Sequence, residues 1–219
     1  MATASRRDRG RRSHHRTAGL GPAERRETVG RRRPARLAVS FVRTPRGGAQ
    51  TKVRRDDGVI INVGATGRRE PVPHDLAHFV VESMLGIRLG LWGSVAAGAI
   101  FPGMEVVEGR LPPRARERSG AILKENHEDI VLAELAVGLV VNRMTGRWGA
   151  LGKATGLISG GGDQDQVARA LKGTEEMLPA AWVAQVPNLC KTMAQMAARW
   201  NRLPVGGELV VTWTPSSQS

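Results

Sequence analysis

His74, Asp75, His78 and Glu82 place two imidazoles and two carboxylates within nine residues, and these are the side-chain types that hold divalent metals and move protons. Their segment, residues 71–86, reads Pro-Val-Pro-His-Asp-Leu-Ala-His-Phe-Val-Val-Glu-Ser-Met-Leu-Gly. Pro73 suits a first helical turn and Gly86 a C-terminal stop, so a helix over 73–85 is expected. At ~100° per residue, with His74 at zero, His78 falls near ~40°, Glu82 near ~80° and Asp75 near ~100°. Leu76, Ala77, Val80, Val81 and Met84 fill the arc from ~200° to ~340°. The polar side of this helix is therefore made almost wholly of metal-ligand types. The plainer reading is a solvated face, where such i, i+4 pairs stabilise a helix by ~0.2–0.5 kcal/mol with no metal at all.

An i, i+4 histidine pair also grips zinc in the His-Glu-x-x-His peptidases. Here Asp75 follows the first histidine, so the general-base glutamate of those enzymes is missing and that activity is not expected. A further carboxylate comes from the run Ile130-Val131-Leu132-Ala133-Glu134-Leu135-Ala136-Val137-Gly138-Leu139-Val140-Val141, in which Glu134 is the sole ionisable residue. Helical spacing sets it between Ile130, Val137 and Val141, aimed at the core. A buried carboxylate has to be protonated, paired or bound to a cation. Its partner would be an arginine such as Arg88 or Arg143, or His127, or else a metal shared with His74 and His78 across a helix pair.

The stretch PVPHDLAHFVVESMLGIRLGLWGSVAAGAIFPGM, with RRDDG before it and AEL after it, resembles small bacterial proteins carrying a Val-Pro-His-Asp-Leu-x-His segment. The likeness spans about residues 50–140 and brings no activity with it. More distantly, His74-Asp75-x-x-His78 followed by Leu85-Gly86 looks like the HDxxH zinc motif of the coenzyme Q biosynthesis family. That resemblance implies a helical metal site handling a polyprenylated quinone precursor. In that pattern a Glu follows after eleven further residues, and here the position holds Gly90, so the carboxylate would have to come from Glu82 or Glu134.

The elements that must position these residues are a small sheet and a set of helices. Alternation over 36–44, two runs at 50–56 and 59–63 joined by Asp57-Gly58, and β-branched residues in Glu208–Trp213 predict four strands. Helices are expected at 73–85, 87–100, 113–125, 127–143, 164–172 and 188–202. In the last of these Leu189, Met193, Met196, Trp200 and Leu203 recur as a buried stripe. Gly160-Gly161-Gly162 reads as a flexible connection before Asp163, a helix cap; no Gly-Lys-Ser/Thr follows to make it a phosphate loop.

Composition bounds the rest. The 219 residues carry 33 Lys+Arg against 20 Asp+Glu, a net charge of +13, of which residues 1–36 hold +9 through 12 Arg and 3 acids. That arm has few bulky apolar side chains, so it is expected to be disordered, with non-specific nucleic-acid contact as its functional reading. A solvated tail, or a reading frame translated upstream of its true start, is the plainer one. Cys190 is the only cysteine, which excludes a disulfide scaffold and a Cys-rich zinc finger; it reads as an idle thiol. Leu89–Phe101, the longest apolar stretch, has 13 residues where a membrane span needs ~20.

Together these features describe a cytoplasmic chain with residues 37–219 as one α+β domain, mainly helical with a small antiparallel sheet. It would hold a divalent metal, zinc first, on His74, His78 and either Glu82 or Glu134. Asp75 would be a further ligand or a partner orienting an imidazole. An enzyme acting on an unidentified small molecule is one outcome, and a non-enzymatic binding protein whose arm contacts nucleic acid is the other.

Overall fold

The computed structural model describes residues 36–66, 72–145 and 164–214. Residues 1–35 of the arm and the Gly160–Gly162 connection with Asp163 lie outside the described residues. Eleven elements follow one another among those described. Strands β1 (Leu37–Arg43), β2 (Ala49–Arg55) and β3 (Ile60–Thr66) come first, then α1 (His74–Leu85) and α2 (Leu91–Ala97). After β4 (Glu105–Glu108) come α3 (Ala115–Glu125), α4 (His127–Thr145), α5 (Gln164–Met177), α6 (Ala180–Arg202) and β5 (Glu208–Trp213). The fold is α+β. Among the described residues a five-stranded sheet runs β4-β3-β2-β1-β5, with every neighbouring pair antiparallel.

The β2–β3 hairpin turns on Asp57-Gly58 as the sequence predicts. Gly58 sits at φ 81, Asp57 Oδ1 accepts from the Val59 N–H at 3.1 Å, and Arg55 forms an ion pair with Asp57. Leu37, Val39 and Phe41 of β1, Val53 of β2 and Leu209 and Trp213 of β5 project to one side of the sheet. There they share a single buried cluster with Leu76, Ala77, Val80 and Val81 of α1, Trp92 of α2, the apolar run of α4 and Leu189, Met193 and Trp200 of α6. Phe41 meets Trp92 edge-on, with centroids 6.4 Å apart, so β1 and α2 register against each other through their largest rings. Arg43 closes the far end: its guanidinium donates to the carbonyls of Trp200, Asn201 and Leu203, adding to the Leu203 N–H that already bonds the Trp200 carbonyl at the end of α6.

Several boundaries differ from the sequence expectation. α2 starts at Leu91 rather than 87 and ends where Gly98 takes a left-handed conformation at φ 112. α6 begins eight residues early and carries Pro187 inside it, although a proline inside a helix removes one backbone hydrogen bond. α5 runs through Gly173 to Met177. β4, a four-residue strand, has no counterpart among the expected strands and exists through its pairing with β3. No helix among the described residues is long and apolar enough to cross a membrane.

Candidate metal centre

α1 sets the site. Pro73 precedes it in extended geometry and its carbonyl accepts from Ala77 N–H at 3.0 Å, which places His74 in the first turn. His78 follows one turn later and Glu82 one turn after that. Gly86 ends the helix at φ 67, a left-handed conformation that suits glycine, and its N–H bonds the Glu82 carbonyl. α1 packs against α4 and α6. The contact with α4 brings Glu134 opposite the two histidines.

His74, His78 and Glu134 form a group that could hold a metal ion, with one ligand atom from each lying within 4.8 Å of the others. The two Nε2 atoms are 3.3 Å apart, and the rings cross at 78°. Glu134 Oε1 lies 3.2 Å from His78 Nε2, and Glu134 Oε2 lies 3.4 Å from His74 Nε2. Donors bound to one zinc at ~2.0–2.1 Å in tetrahedral geometry are separated by ~3.3–3.4 Å. The side chain of His78 is 1% exposed, whereas those of His74 and Glu134 are each 42% exposed. The group is buried at its base and open to solvent at its rim.

Of the five residues singled out in the sequence, Asp75 and Glu82 stand outside this group. Glu82, placed by helical spacing on the polar face, is among the most deeply buried side chains of the fold. It lies behind His78, with Oε1 3.0 Å from His78 Nδ1. The same oxygen accepts from the Leu91 N–H at 2.9 Å, and Oε2 accepts from the Trp92 N–H at 3.0 Å. Asp75 is also buried. Thr51 of β2 is the neighbour that most favours its ionised form, yet neither Asp75 Oδ2 nor Thr51 Oγ1 has a partner at hydrogen-bond distance. Glu134 corrects the expectation in the other direction. It sits at the rim of the α1–α4 contact rather than inside the core, and its partners are the histidines rather than an arginine; Arg143 pairs with Glu175.

The electrostatics follow from these positions. Burial works against a charge on His78, but Glu134 and Glu82 on opposite sides of the ring outweigh it, and its pKa is pushed up to about 9. Burial works against ionisation of Glu134 as well, yet contact with His74 and His78 holds its carboxyl well below the usual carboxylate range. Asp75 goes the other way: desolvation raises its pKa, and Thr51, His74 and His78 offset only part of that.

Ser94, Cys190 and His127 lie on α2, α6 and α4 outside this group. Ser94 accepts from Asn126 Nδ2 at 3.0 Å and donates to the Leu89 carbonyl. Cys190 is partly buried, and desolvation raises its thiol pKa despite the counteracting charge of Arg143. His127 opens α4. What sequence reasoning missed is the depth of Glu82, and one signal for it was present in Gly90. A Cβ there would lie 2.7–2.9 Å from the Glu82 carboxyl atoms. No protein-family model, curated protein or solved structure matches the chain.

Proposed function

We propose that this protein binds a divalent metal, zinc first, through His74, His78 and Glu134, and that the centre keeps a coordination position open for a small-molecule ligand or water. The observation that supports this most is the convergence of three donors of the right chemistry, 3.2–3.4 Å apart, close to the ~3.3–3.4 Å edge of a zinc tetrahedron. Two imidazoles and one carboxylate are one of the donor sets of catalytic zinc sites, which use three protein ligands and leave the fourth position to water or substrate. A divalent cation here would meet the two carboxylates, of Glu134 and Glu82, that flank His78. The same donor set suits ferrous iron, so zinc and iron are the two metals to compare.

A bound metal would supply Lewis acidity at the open position. The protein's own contribution would be the rim at His74 and Glu134, open to solvent, and the buried carboxyl of Asp75 nearby as a proton acceptor. The local likeness to the coenzyme Q biosynthesis motif fits the two histidines. The third donor would come from α4 rather than from the position held by Gly90.

One observation favours a second reading. His78 lies between Glu82 at 3.0 Å and Glu134 at 3.2 Å, and an imidazolium there would form a salt-bridged cluster joining α1 and α4 without a metal. Metal analysis of the protein purified without a His tag, alongside His78→Ala and Glu134→Ala, separates the two. The metal reading expects bound metal in the wild type and its loss in both variants. A wild type that takes up no metal supports the ion cluster.

A further inference from the structure

The Glu82 carboxylate is 0% exposed, and a buried carboxylate is tolerated only with close hydrogen-bond donors. It has three. Two are backbone N–H groups, of Leu91 to Oε1 and of Trp92 to Oε2, and the third neighbour is His78 Nδ1 on Oε1. Leu91 and Trp92 are the first residues of α2, whose N-cap residue, Gly90, makes no side-chain cap bond. Glu82 therefore supplies from α1 the cap that Gly90 lacks. The space for it exists because Gly90 has no Cβ. An ionised carboxylate only accepts hydrogen bonds, so the imidazole nitrogen facing it carries the proton. Nδ1–H points back at Glu82, and Nε2, which gives up its proton when a metal binds, faces His74 and Glu134.

We infer that Glu82 is the positioning residue of the metal centre. One buried carboxylate fixes His78 in the Nδ1–H tautomer and fastens it to the first turn of α2, so that metal occupancy and the order of α2 are coupled. This rests on the metal reading above. The coupling continues through Trp92, which meets Phe41 of the sheet edge-on. A metal drawing on Nε2 strengthens the Nδ1–H to Glu82 bond, and Glu82 in turn holds the α2 amides. In Glu82→Gln the amide offers one oxygen where two are used, and its NH₂ faces a donor.

The test uses the full chain. Zinc titration against a competing chelator should show Glu82→Gln binding about 10–100-fold more weakly than the wild type. Nitrogen-15 NMR of the imidazoles should show His78 of the zinc-loaded wild type protonated at Nδ1. Amide exchange at Leu91 and Trp92 should slow on zinc loading in the wild type and respond less in Glu82→Gln. Gly90→Ala, which pushes on Glu82 without touching a ligand, should weaken zinc binding in the same direction. A wild type that binds no zinc overturns the metal reading itself. A wild type that binds zinc with His78 protonated at Nε2 overturns the role of Glu82 alone, and so does a Glu82→Gln protein of wild-type affinity. The wild-type tautomer decides the matter even if a variant fails to fold.

Discussion

His78 is the residue on which the account turns, because its two ring nitrogens face different carboxylates on different elements. In the metal-free protein its pKa is raised from 6.5 to about 9, so the folded state favours its charged form. That contribution to stability is fully present below about 6.5 and is lost as pH rises through about 9. With metal bound the imidazole must be neutral, and the dependence reverses: protons compete with metal, and affinity grows as pH rises toward 9. Thermal melts at the two ends of this range, with and without a chelator, check it. The chelated protein should lose stability on the alkaline side and the metal-loaded protein should not. Equal alkaline loss in both would show that no metal occupies His78. At this scale the sequence was partly legible. The i, i+4 spacing pointed to His74 and His78, and the isolation of Glu134 in an apolar run flagged it as a partner. Glu82 was not legible as a cap, since its donors lie 9 and 10 residues away on a helix whose start depends on packing.

Among the elements, α1 and α4 carry the proposed ligands, while α2 carries the backbone donors that hold Glu82. α2 is anchored by close approach: a Cβ on Gly93 would lie 1.7 Å from the Arg88 carbonyl oxygen and 3.5 Å from the ring of Trp213. Gly93→Ala should therefore displace the 88–93 backbone and destabilise the fold by about 3 kcal/mol or more, measured by chemical denaturation. A cost within about 0.5 kcal/mol, usual for an inconsequential surface site, would mean that α2 does not approach the 86–90 turn as described. The long elements were readable because each has its own signal: alternation in β1, Asp57-Gly58 in the hairpin, the Leu189/Met193/Trp200 stripe in α6. β4 was not, because four residues carry too little pattern and its place is set by pairing with β3. The early start of α6 was hidden by Pro187, which reads as a boundary in sequence and is carried inside the helix in the fold.

For the whole molecule, the net charge of +13 first suggests a nucleic-acid partner, but residues 1–36 hold +9 of it and precede the proposed metal ligands in sequence. The two features are separable by experiment. On the reading of residues 1–36 as a nucleic-acid arm, replacing Arg31, Arg32 and Arg33 by Gln weakens duplex DNA binding and flattens its salt dependence, since each phosphate contact contributes a slope of about 0.9. Metal content should stay unchanged. DNA binding equal to that of the wild type at low and high salt would remove the arm from the account. The central claim is that His74, His78 and Glu134 hold a divalent metal, and elemental analysis of the untagged full-length protein tests it most directly. About one equivalent of zinc or iron per chain, lost in His78→Ala, is the predicted result. Less than about a tenth of an equivalent, unchanged after incubation with zinc, ferrous iron or manganese, would contradict it.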